Sequence, residues 1–436
     1  MDDFLREFKK RVSGKKIKIA IVGLGYVGFP LAMEFCRRGF SVLGIDIDKD
    51  RISRIKRKES YITDVSSGEL RQALAKRKFS ATPNFSTLKK IDAVIICVPT
   101  PLWRKYSPNI SYIKQAVNSI AKNLKAKSLV ILESTTYPGT TEEVILPLLE
   151  RRNFRHNRDF YLCFSPERID PGNKKFPLRK IPKVIGGITP EASQLAQALY
   201  GEIVERVVPV SSARAAEAVK LLENTFRLIN IALIDELAMM AHKMKIDIWE
   251  VIKAASTKPF GFMGFFPGPG VGGHCIPKDP LYLYWKARHF GFRSRFIKLA
   301  SDVIAYMPLY VAERVAEILR QKGRAIKKAK ILVVGVSYKK DVKDLRKSPG
   351  LDLIEGLQRK GALVDYFDPL VPYLKIDRID LKSVTLNEKR LKGFDCTVIA
   401  ADHSCLDYDF LLRYSRAVFD TRNAYAHCRD KKIHRL

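Results

Sequence analysis

A glycine turn between an apolar run and an amphipathic segment constrains the fold of this chain more than any other feature. The segment Gly23-Leu-Gly-Tyr-Val-Gly28 follows the apolar run 16–22, and residues 27–38 then show helical apolar spacing. A second apolar run, 41–45, ends at Asp46. Strand, glycine turn, helix and strand in this order are the context in which such a turn binds the pyrophosphate of a dinucleotide. We therefore predict a Rossmann-like domain at the start of the chain.

The residues of this turn have separate predicted roles. Gly23 allows the tight turn, Gly25 lets pyrophosphate approach the backbone, and Gly28 lets the helix pack on the strand. The carboxylate of Asp46 can accept hydrogen bonds from the adenosine ribose hydroxyls and would repel a 2′-phosphate, which favours NAD over NADP. A glycine turn in a sheet protein that binds no ligand is the competing interpretation.

Further apolar runs extend the predicted sheet. They lie at 93–98, 129–132, 161–164 and 184–186, and helical stretches separate several of them. This alternation predicts a doubly wound parallel sheet as far as about residue 210.

The middle of the chain has a different pattern. Residues 211–245 contain no glycine or proline and show helical apolar spacing, which predicts one long helix or two nearly continuous ones. Residues 260–273 are rich in glycine, proline and phenylalanine, which predicts a loop. More helix is expected as far as about residue 323.

A second α/β unit without a Gly-x-Gly-x-x-Gly motif is predicted at the end of the chain. Its predicted strands are 330–336, 362–367, 396–400 and 417–419, and its predicted helix is 349–360. We therefore predict an α/β fold of two Rossmann-like doubly wound domains joined by a long central helix and a helical linker. The predicted parts are an NAD-binding domain at 1–210, a central helical region at 211–323 and a ligand-binding α/β domain at 324–436.

The cysteines and the N-terminus favour the reducing cytoplasm. Seven cysteines are scattered along the chain without a Cys-x-x-Cys pair, as is typical of free thiols. No apolar run reaches membrane-spanning length, and the charged residues 1–10 lack the apolar core of a signal peptide. His403 and Cys405 alone are too few for a metal site. We predict a cytoplasmic protein without a metal.

A net charge of +32 leaves a second class of function open. A positive field favours anionic ligands such as nucleotides. The basic residues are spread along the whole chain and do not alternate with aromatic residues, as they would in a groove for nucleic acid. A solvated basic surface is the simpler interpretation. The alternative is a basic nucleotide-binding or nucleic-acid-binding protein that kept the fold without catalysis.

Two segments place reactive residue types at informative spacings. Cys275 follows a glycine run in 270–280, where the thiol can meet a small substrate and form an adduct with an aldehyde. Asp279 is four residues further on and could orient the thiol or a water. Lys220 and Asn224 are four residues apart on the predicted long helix and therefore share a face. The competing interpretations are a buried structural cysteine and a solvated helix surface.

Two more residues follow predicted strands directly. Glu167 and Thr135 lie where strands of a parallel sheet end, which is the edge at which such folds bind ligands. The alternative for Glu167 is a turn residue or helix cap, and the alternative for Thr135 is a capping hydroxyl.

Taken together, these segments resemble the nucleotide-sugar 6-dehydrogenases of the UDP-glucose/GDP-mannose dehydrogenase family. The resemblance covers nearly the whole chain. The matching segments are 23–28, 97–101 (Cys-Val-Pro-Thr-Pro), 133–136 (Glu-Ser-Thr-Thr), 165–167 (Ser-Pro-Glu), Lys220 with Asn224, 272–275 (Gly-Gly-His-Cys), 335–341, 344–346, 367–369 and 420–422.

Within the family, residues 133–142, 260–280 and 339–349 most resemble UDP-N-acetylglucosamine 6-dehydrogenases. Lys278 is similar to what UDP-glucose-specific members carry. No spacing rule specifies which sugar is bound, so UDP-glucose and UDP-N-acetylmannosamine are alternative substrates. The resemblance also implies a role in supplying precursors of surface polysaccharides.

The resemblance implies a four-electron oxidation of the sugar C6 alcohol to a carboxylate, with two NAD⁺ used in turn. The thiolate of Cys275 would capture the aldehyde as a thiohemiacetal, whose oxidation gives a thioester that water hydrolyses with the help of Glu167. Lys220, with a water held by Asp279 and Thr135, would handle the proton. Lys220 and Asn224 would also stabilise oxyanions.

The resemblance also implies binding residues and a partner. Those for the cofactor are Gly23, Gly25, Tyr26, Val27, Gly28, Asp46, Arg51, Thr100, Thr135 and Arg346. Those for the UDP-sugar are Glu167, Arg168, Lys220, Asn224, Gly272, Lys339 and Arg422. The long central helix is a dimer interface in this family, so we expect a homodimer through residues 211–245.

Overall fold

A computed structural model describes residues 2–62, 64–103, 107–151, 154–169, 176–273, 275–376 and 379–436. His274, part of the predicted Gly-Gly-His-Cys motif, lies outside the described residues. The chain divides into two units: Met1–Glu223 with Leu281–Phe292, and Asn224–Pro280 with Arg293–Leu436. The division into three parts at residues 210 and 323 stays a prediction.

The first unit is built on one eight-stranded sheet. Its strands are β1 (Lys18–Val22), β2 (Ser41–Ile45), β3 (Phe79–Thr82), β4 (Ala93–Ile96), β5 (Ser128–Leu132), β6 (Phe160–Phe164), β7 (Lys183–Gly187) and β8 (Val207–Pro209). Their order in the sheet is β3-β2-β1-β4-β5-β6-β7-β8. The predicted doubly wound α/β fold is confirmed.

One pair of strands departs from the predicted parallel arrangement. All neighbouring strands pair in parallel except β6 and β7, which are antiparallel. A parallel pair needs a long crossover, usually a helix. The described part of the connection between β6 and β7 contains only the 3-10 turn Leu178–Lys180. The prediction of a wholly parallel sheet was therefore wrong at this pair.

Helices cover both faces of this sheet. They are α1 (Asp2–Ser13), α2 (Gly28–Arg37), α3 (Lys49–Lys56), α4 (Ser67–Ala75), α5 (Ser111–Asn123), α6 (Leu146–Glu150) and α7 (Pro190–Tyr200). Because side chains alternate along a strand, Ile19 and Ile21 of β1 pack in one core with Phe29 of α2, while Val22 packs in a second core with Val117 of α5.

The predicted central helix is confirmed as the single helix α8 (Ala213–Met244) of 32 residues, which contributes to both units. It is followed by α9 (Ile248–Ala255), α10 (Asp279–Arg288) and α11 (Arg295–Gln321). In the second unit, Leu228 and Ala232 of α8 pack against Ala300 and Ile304 of α11. None of the described helices is both long and apolar enough to cross a membrane.

The second unit contains a smaller sheet that is parallel throughout. Its elements are β9 (Lys330–Val334), α12 (Pro349–Arg359), β10 (Leu363–Phe367), the antiparallel hairpin β11 (Tyr373–Ile376) and β12 (Ile379–Lys382), α13 (Glu388–Lys392), β13 (Cys396–Ile399), α14 (Tyr408–Tyr414), β14 (Val418–Asp420) and β15 (Ile433–Arg435). The five sheet strands have the order β10-β9-β13-β14-β15. Val333 packs with Val315 of α11 and Leu353 of α12 on one face, and Val334 packs with Leu411 of α14 on the other.

The strand order reverses once in each sheet, beside β1 in the first and beside β9 in the second. Loops that leave neighbouring carboxyl ends at such a reversal diverge to opposite faces and leave a crevice, which is where open α/β sheets bind ligands. Each unit therefore has its own place for a ligand, after β1 and after β9.

Candidate active site

The turn after β1 has the shape that the dinucleotide fingerprint requires. Gly23 has a φ of +95°, in the left-handed region that favours glycine. A Cβ on Gly28 would lie 1.9 Å from the carbonyl oxygen of Gly23 and 3.1 Å from the Cβ of Cys97. The start of α2 therefore packs directly on the turn and on the loop after β4. The nearest atom to a Cβ on Gly25 would be Nη1 of Arg51, at 4.0 Å. The backbone at Gly25 is thus open to a pyrophosphate.

Asp46 lies at the end of β2 and is held there by backbone groups. Its Oδ2 accepts hydrogen bonds from the backbone N–H of Leu24 at 2.8 Å and from Nη1 of Arg51 at 3.0 Å, and its Oδ1 accepts from the N–H of Asp48 at 2.9 Å. A carboxylate has about four acceptor sites, so this buried side chain can still accept from ribose hydroxyls. The open turn and the anchored carboxylate fit NAD.

Three further predicted cofactor residues lie in the turn after β1 or in the loop after β4. Tyr26 is exposed, and Val27 precedes α2 directly. Thr100 is buried in the loop after β4, where its carbonyl oxygen accepts a hydrogen bond from the hydroxyl of Tyr282.

The charge of Asp46 can be tested without removing its hydrogen-bonding role. We expect Asp46→Asn to keep an acceptor for the Leu24 N–H and to narrow the preference for NAD⁺ over NADP⁺ by about tenfold, because the repulsion of a 2′-phosphate is lost. Asp46→Ala should narrow the preference too, at a greater cost in stability because the Leu24 N–H loses its partner. The measurement is kcat/KM for both cofactors. Equal rates of the unmodified protein with both cofactors would show that Asp46 does not select NAD.

Glu167 follows β6 and is buried in a network of donors. Its Oε1 accepts hydrogen bonds from the backbone N–H groups of Arg168 and Ile169, both at 2.7 Å, and its Oε2 lies 3.4 Å from Nζ of Lys183. Burial raises the pKa of Glu167, but the Lys183 ammonium, the two backbone donors and the charge of Lys220 together hold that pKa below its ordinary value. The side chain caps its own turn, as the competing interpretation expected, and it is also a buried carboxylate with a cationic partner.

Lys183 joins Glu167 to a second buried carboxylate. Its Nζ lies 3.0 Å from Oε1 of Glu133, which also accepts a hydrogen bond from the Tyr200 hydroxyl. Glu133 Oε2 is buried and has no hydrogen-bond partner within the described part of the chain. Burial is the largest cause that raises the pKa of Glu133, and the charge of Glu167 adds to it. Lys183 and the side chain of Glu133 were not predicted as site residues.

Arg168 is held by two groups of the same unit. Its Nη2 lies 2.7 Å from Oε1 of Glu223, and its Nη1 donates to the carbonyl oxygen of Pro182 at 2.7 Å. These contacts fix the guanidinium beside Glu167, so Arg168 can contact a substrate through only part of its donor set.

The face of α8 that carries Lys220 is not a solvated surface. Lys220 and Asn224 are 8 % and 5 % exposed. One turn earlier, the Glu217 carboxylate accepts hydrogen bonds from the backbone N–H groups of Gly139 and Thr141, and also from the Thr141 hydroxyl. The competing interpretation of a solvated helix surface was therefore wrong for Lys220 and Asn224.

Thr135 lies in the loop between β5 and a π-helical segment, Thr141–Ile145. It is half-buried, and Thr140 occupies the position before that segment. Ser134, which directly precedes Thr135, donates to the carbonyl oxygen of Val98 at 2.8 Å. This bond connects the loop after β5 to the loop after β4.

In the second unit, Cys275 precedes Asp279 by four residues, and Asn224 bonds to the Asp279 side chain. The Asn224 amide donates to Oδ2 of Asp279 at 2.7 Å, and the backbone N–H of Asp279 donates to the carbonyl oxygen of Cys275 at 2.8 Å. Asp279 is buried, whereas Cys275 is exposed. The interpretation of Cys275 as a buried structural cysteine was therefore wrong. The bonded pair fixes the carboxylate four residues after an accessible thiol.

The glycine run before Cys275 packs on the loop after β9. The N–H of Gly273 donates to the carbonyl oxygen of Arg346 at 2.8 Å. A Cβ on Gly272 would lie 2.6 Å from both the Lys347 carbonyl oxygen and the Tyr338 Cβ. This close approach explains why glycines precede the cysteine.

The same unit contains two more of the predicted UDP-sugar residues, Lys339 and Arg422, and also Arg346, a predicted cofactor residue. Lys339 is half-buried in the loop after β9, and Arg346 pairs with Asp344 at 2.6 Å. Arg422, after β14, donates from Nε to the carbonyl oxygen of Ala400 at 2.9 Å, and its Nη1 would lie 2.6 Å from a Cβ on Gly268. Gly272, Lys339 and Arg422 thus lie on segments that contact one another or leave the carboxyl edge of the second sheet.

Family models describe successive parts of the chain. The NAD-binding domain of the UDP-glucose/GDP-mannose dehydrogenase family matches residues 17–204, its central domain matches 214–304, and its UDP-binding domain matches 332–427. This chain belongs to that family. As a UDP-glucose/GDP-mannose dehydrogenase family member, it is an NAD-dependent oxidoreductase with a domain for the UDP part of a nucleotide sugar, as the sequence resemblance implied.

Relatives in the family differ in the sugar they oxidise. The chain is 40 % identical over 359 residues to a UDP-N-acetyl-D-glucosamine 6-dehydrogenase of Pseudomonas aeruginosa, which covers 82 % of this chain and 84 % of that protein. It is 36 % identical over 389 residues to a UDP-N-acetyl-D-mannosamine dehydrogenase of Pyrococcus horikoshii, covering 89 % and 90 %. A solved structure of the UDP-D-ManNAc dehydrogenase of Pyrococcus horikoshii superposes with a TM-score of 0.87 at 33 % identity, over 96 % of this chain and 99 % of that one. The alternative of a non-catalytic basic binding protein has no support among these relatives.

One feature of the sequence could have identified Lys183 as a buried lysine with an anionic partner. It is a lysine inside the apolar segment that became β7, between Pro182 and Val184. A lysine among strand residues that are buried on both faces must find an anionic partner. The sequence does not reveal which of its 46 acidic residues that partner is.

Proposed function

We propose that this protein is a UDP-N-acetyl-D-glucosamine 6-dehydrogenase, which oxidises the C6 alcohol of the sugar to a carboxylate. The observation that carries the proposal is the exposed Cys275, whose carbonyl oxygen accepts a hydrogen bond from the backbone N–H of Asp279, together with the Asp279 carboxylate that Asn224 holds. UDP-N-acetylmannosamine is the second candidate substrate, because the relatives include dehydrogenases for both sugars. UDP-glucose is a third.

Covalent capture at Cys275 accounts for an oxidation that proceeds to the acid. NAD⁺, when bound, accepts the hydride of each of the two oxidations. The Cys275 thiolate adds to the aldehyde carbon and forms a C–S bond, and loss of hydride from this adduct leaves a thioester. Water then attacks the thioester carbon, Glu167 takes a proton from that water, and the C–S bond breaks to release the thiolate and the carboxylate. The aldehyde need not leave the protein.

The residues on α8 and at the start of α10 support proton transfer and charge. Lys220, with a water held by Asp279 and Thr135, takes the proton of the C6 hydroxyl as hydride leaves. The Asn224 amide has two N–H donors; among the described residues it donates to Asp279, and its second N–H can donate to an oxyanion on C6. Removing one such donor typically costs about 3 kcal/mol of transition-state stabilisation.

Binding is assigned to the two crevices. In the first unit, Tyr26, Val27, Arg51 and Thr100 join the glycines and Asp46 in binding NAD. In the second unit, Gly272, Lys339 and Arg422 bind the UDP-sugar. Arg168 of the first unit is assigned to the UDP-sugar as well, and Arg346 is assigned to the cofactor. The large positive charge of the chain favours both anionic ligands.

The remaining proposals follow from the family. The protein acts as a homodimer through α8, whose exposed apolar residues include Leu222, Phe226, Leu233 and Met240. It works in the cytoplasm on precursors of a surface polysaccharide. The parts 1–210, 211–323 and 324–436 serve NAD binding, dimerisation with catalysis, and UDP-sugar binding.

The proposal predicts the stoichiometry of the reaction. We expect two NADH per UDP-N-acetylglucosamine and an acid product, because capture of the aldehyde as a thiohemiacetal on Cys275 commits it to a second oxidation. Counting NADH against product at limiting sugar, with UDP-N-acetylglucosamine, UDP-N-acetylmannosamine and UDP-glucose in parallel, tests both mechanism and substrate. One NADH per sugar with free aldehyde would rule out the covalent mechanism, and a higher kcat/KM with another sugar would reassign the substrate.

A further inference from the structure

Lys183 is an ammonium group placed where an apolar residue would be expected. It begins β7, and its side chain is 8 % exposed. Taking a charge out of water costs several kcal/mol unless it is paired and hydrogen-bonded. Two carboxylates compensate this cost, Glu133 at 3.0 Å and Glu167 at 3.4 Å, and the Tyr200 ring lies 5.1 Å from the ammonium. Burying three charges is not needed to join two strands, because apolar residues of similar volume often stabilise a core equally well.

The geometry gives each member of this cluster a separate task. Glu167 comes from the loop after β6, Glu133 from the loop after β5, and Lys183 from the start of β7. The backbone N–H groups of Arg168 and Ile169 hold Oε1 of Glu167, so Lys183 is the charged group that contacts the other oxygen, Oε2. Oε1 of Glu133 contacts the same Lys183 ammonium at 3.0 Å.

We propose that Lys183 is the positioning residue for Glu167, which it orients and keeps ionised, and that Glu133, held by Tyr200, fixes Lys183 in turn. This inference rests on the proposed role of Glu167 in hydrolysing the thioester. A base can take a proton from water only as the carboxylate, and a carboxylate buried as deeply as Glu167 tends to become neutral without a nearby cation. Lys183 supplies that cation without itself contacting the reacting atoms.

The direction of the pH effect follows from the charged groups that face Glu167. They are Lys183 on β7, Lys220 on α8, Glu133 after β5, Cys97 after β4 and Tyr200 on α7. Burial raises the pKa of Glu167 and Lys183 lowers it most. Without Lys183, burial and the charge of Glu133 prevail and the pKa rises. Since hydrolysis needs the ionised form, the acidic limb of its pH profile must then move to higher pH.

The test compares thioester hydrolysis by the unmodified protein with hydrolysis by three single variants, Lys183→Met, Lys183→Arg and Glu133→Gln. UDP-N-acetylglucosamine and NAD⁺ are mixed with each variant, the reaction is quenched in acid, and intact-mass spectra report the acyl adduct on Cys275. For Lys183→Met we expect the adduct to accumulate, kcat to fall by about 10- to 100-fold with little change in KM, and the acidic limb to rise by about one pH unit or more. Lys183→Arg keeps the charge and should restore most of the rate.

Glu133→Gln changes the charge near Glu167 in the opposite sense to Lys183→Met. It removes a negative charge from the neighbourhood of Glu167, so the acidic limb should stay in place or move to lower pH. If Lys183→Met does not fold, Lys183→Gln, which keeps hydrogen-bonding capacity without charge, should give the same upward shift. A mere loss of packing would not raise the acidic limb for Lys183→Met and yet leave it in place or lower it for Glu133→Gln.

Two controls separate the possible failures. Lys125→Met removes a lysine 2.6 Å from Asp92, a pair just before β4 at the opposite edge of the sheet, and should leave the pH profile unchanged.

Glu167→Gln should accumulate the acyl adduct by itself. If it does and Lys183→Met shows neither accumulation nor a shifted limb, the positioning role is wrong and the role of Glu167 stands. If Glu167→Gln does not accumulate the adduct, both ideas fail. An upward shift in both Lys183→Met and Glu133→Gln would also overturn the positioning role.

Discussion

Cys275→Ser is expected to abolish turnover of the UDP-sugar, with a fall in kcat on the order of 10³-fold or more. Serine nearly keeps the size of the side chain but is a weaker nucleophile, so the aldehyde is captured poorly. An ester formed in place of the thioester would also hydrolyse more slowly, because an alkoxide is the poorer leaving group. Binding of NAD⁺ and UDP-sugar should survive, since the proposed anchors of both ligands do not include the sulfur.

A second exposed cysteine provides the matched control. Cys405 lies in the loop after β13 and is exposed like Cys275, so Cys405→Ser changes the same atom in a residue to which no role is assigned. It should keep the rate of the unmodified protein. Calorimetric titration of both ligands and intact-mass spectra of the ester adduct complete the measurement. Full turnover by Cys275→Ser would mean that the cysteine takes no part in the chemistry.

Gly25→Ala and Gly28→Ala are expected to fail for different reasons. The methyl group added by Gly28→Ala would require space 1.9 Å from the carbonyl oxygen of Gly23, which is backbone and cannot move aside without opening the turn. We expect Gly28→Ala to lower the free energy of unfolding by about 3 kcal/mol or more, and to lose NAD binding with it. At Gly25 the nearest atom is 4.0 Å away, so Gly25→Ala should leave stability unchanged.

The loss at Gly25 should instead lie in the cofactor. A methyl group there occupies the space through which a pyrophosphate reaches the backbone, and we expect the Kd for NAD⁺ to rise about 100-fold, or about 2.7 kcal/mol. Urea unfolding without ligand and NAD⁺ titration separate the two variants. Equal stability of Gly28→Ala and the unmodified protein would contradict the packing argument, and unchanged NAD⁺ affinity of Gly25→Ala would contradict the position assigned to the pyrophosphate.

The elements that the sequence predicted well are those with a strong local pattern. The strand before the glycine turn, the helix after it and the strand that ends at Asp46 were predicted within two residues of β1, α2 and β2. Helix α8 was predicted within two residues at each end, because 32 residues without glycine or proline keep one apolar period. In these segments nearest neighbours along the chain decide the conformation.

The elements that were not predicted depend on partners far away in the sequence. β8 and β15 have three residues each and lie at sheet edges, and the hairpin β11–β12 adds two strands of four. Such short strands carry too few residues for a period to be read, and pairing with a neighbour defines them. The reversed direction of β7 belongs here too, because it follows from a connection that lacks a crossover helix among its described residues.

The candidate site shows the same division between features set by local patterns and features set by distant contacts. The residue types and their spacing predicted the glycine fingerprint, Cys275 as the candidate nucleophile, and the shared face of Lys220 and Asn224, since these follow from turn geometry, chemistry and helical period. A period shows which residues share a face but not what covers that face. Only the tertiary structure decided that Lys220 and Asn224 are buried, that Cys275 is accessible, and that Lys183 faces Glu133 and Glu167 across three strands. Those facts depend on contacts between residues distant in sequence, whose partners local patterns do not specify.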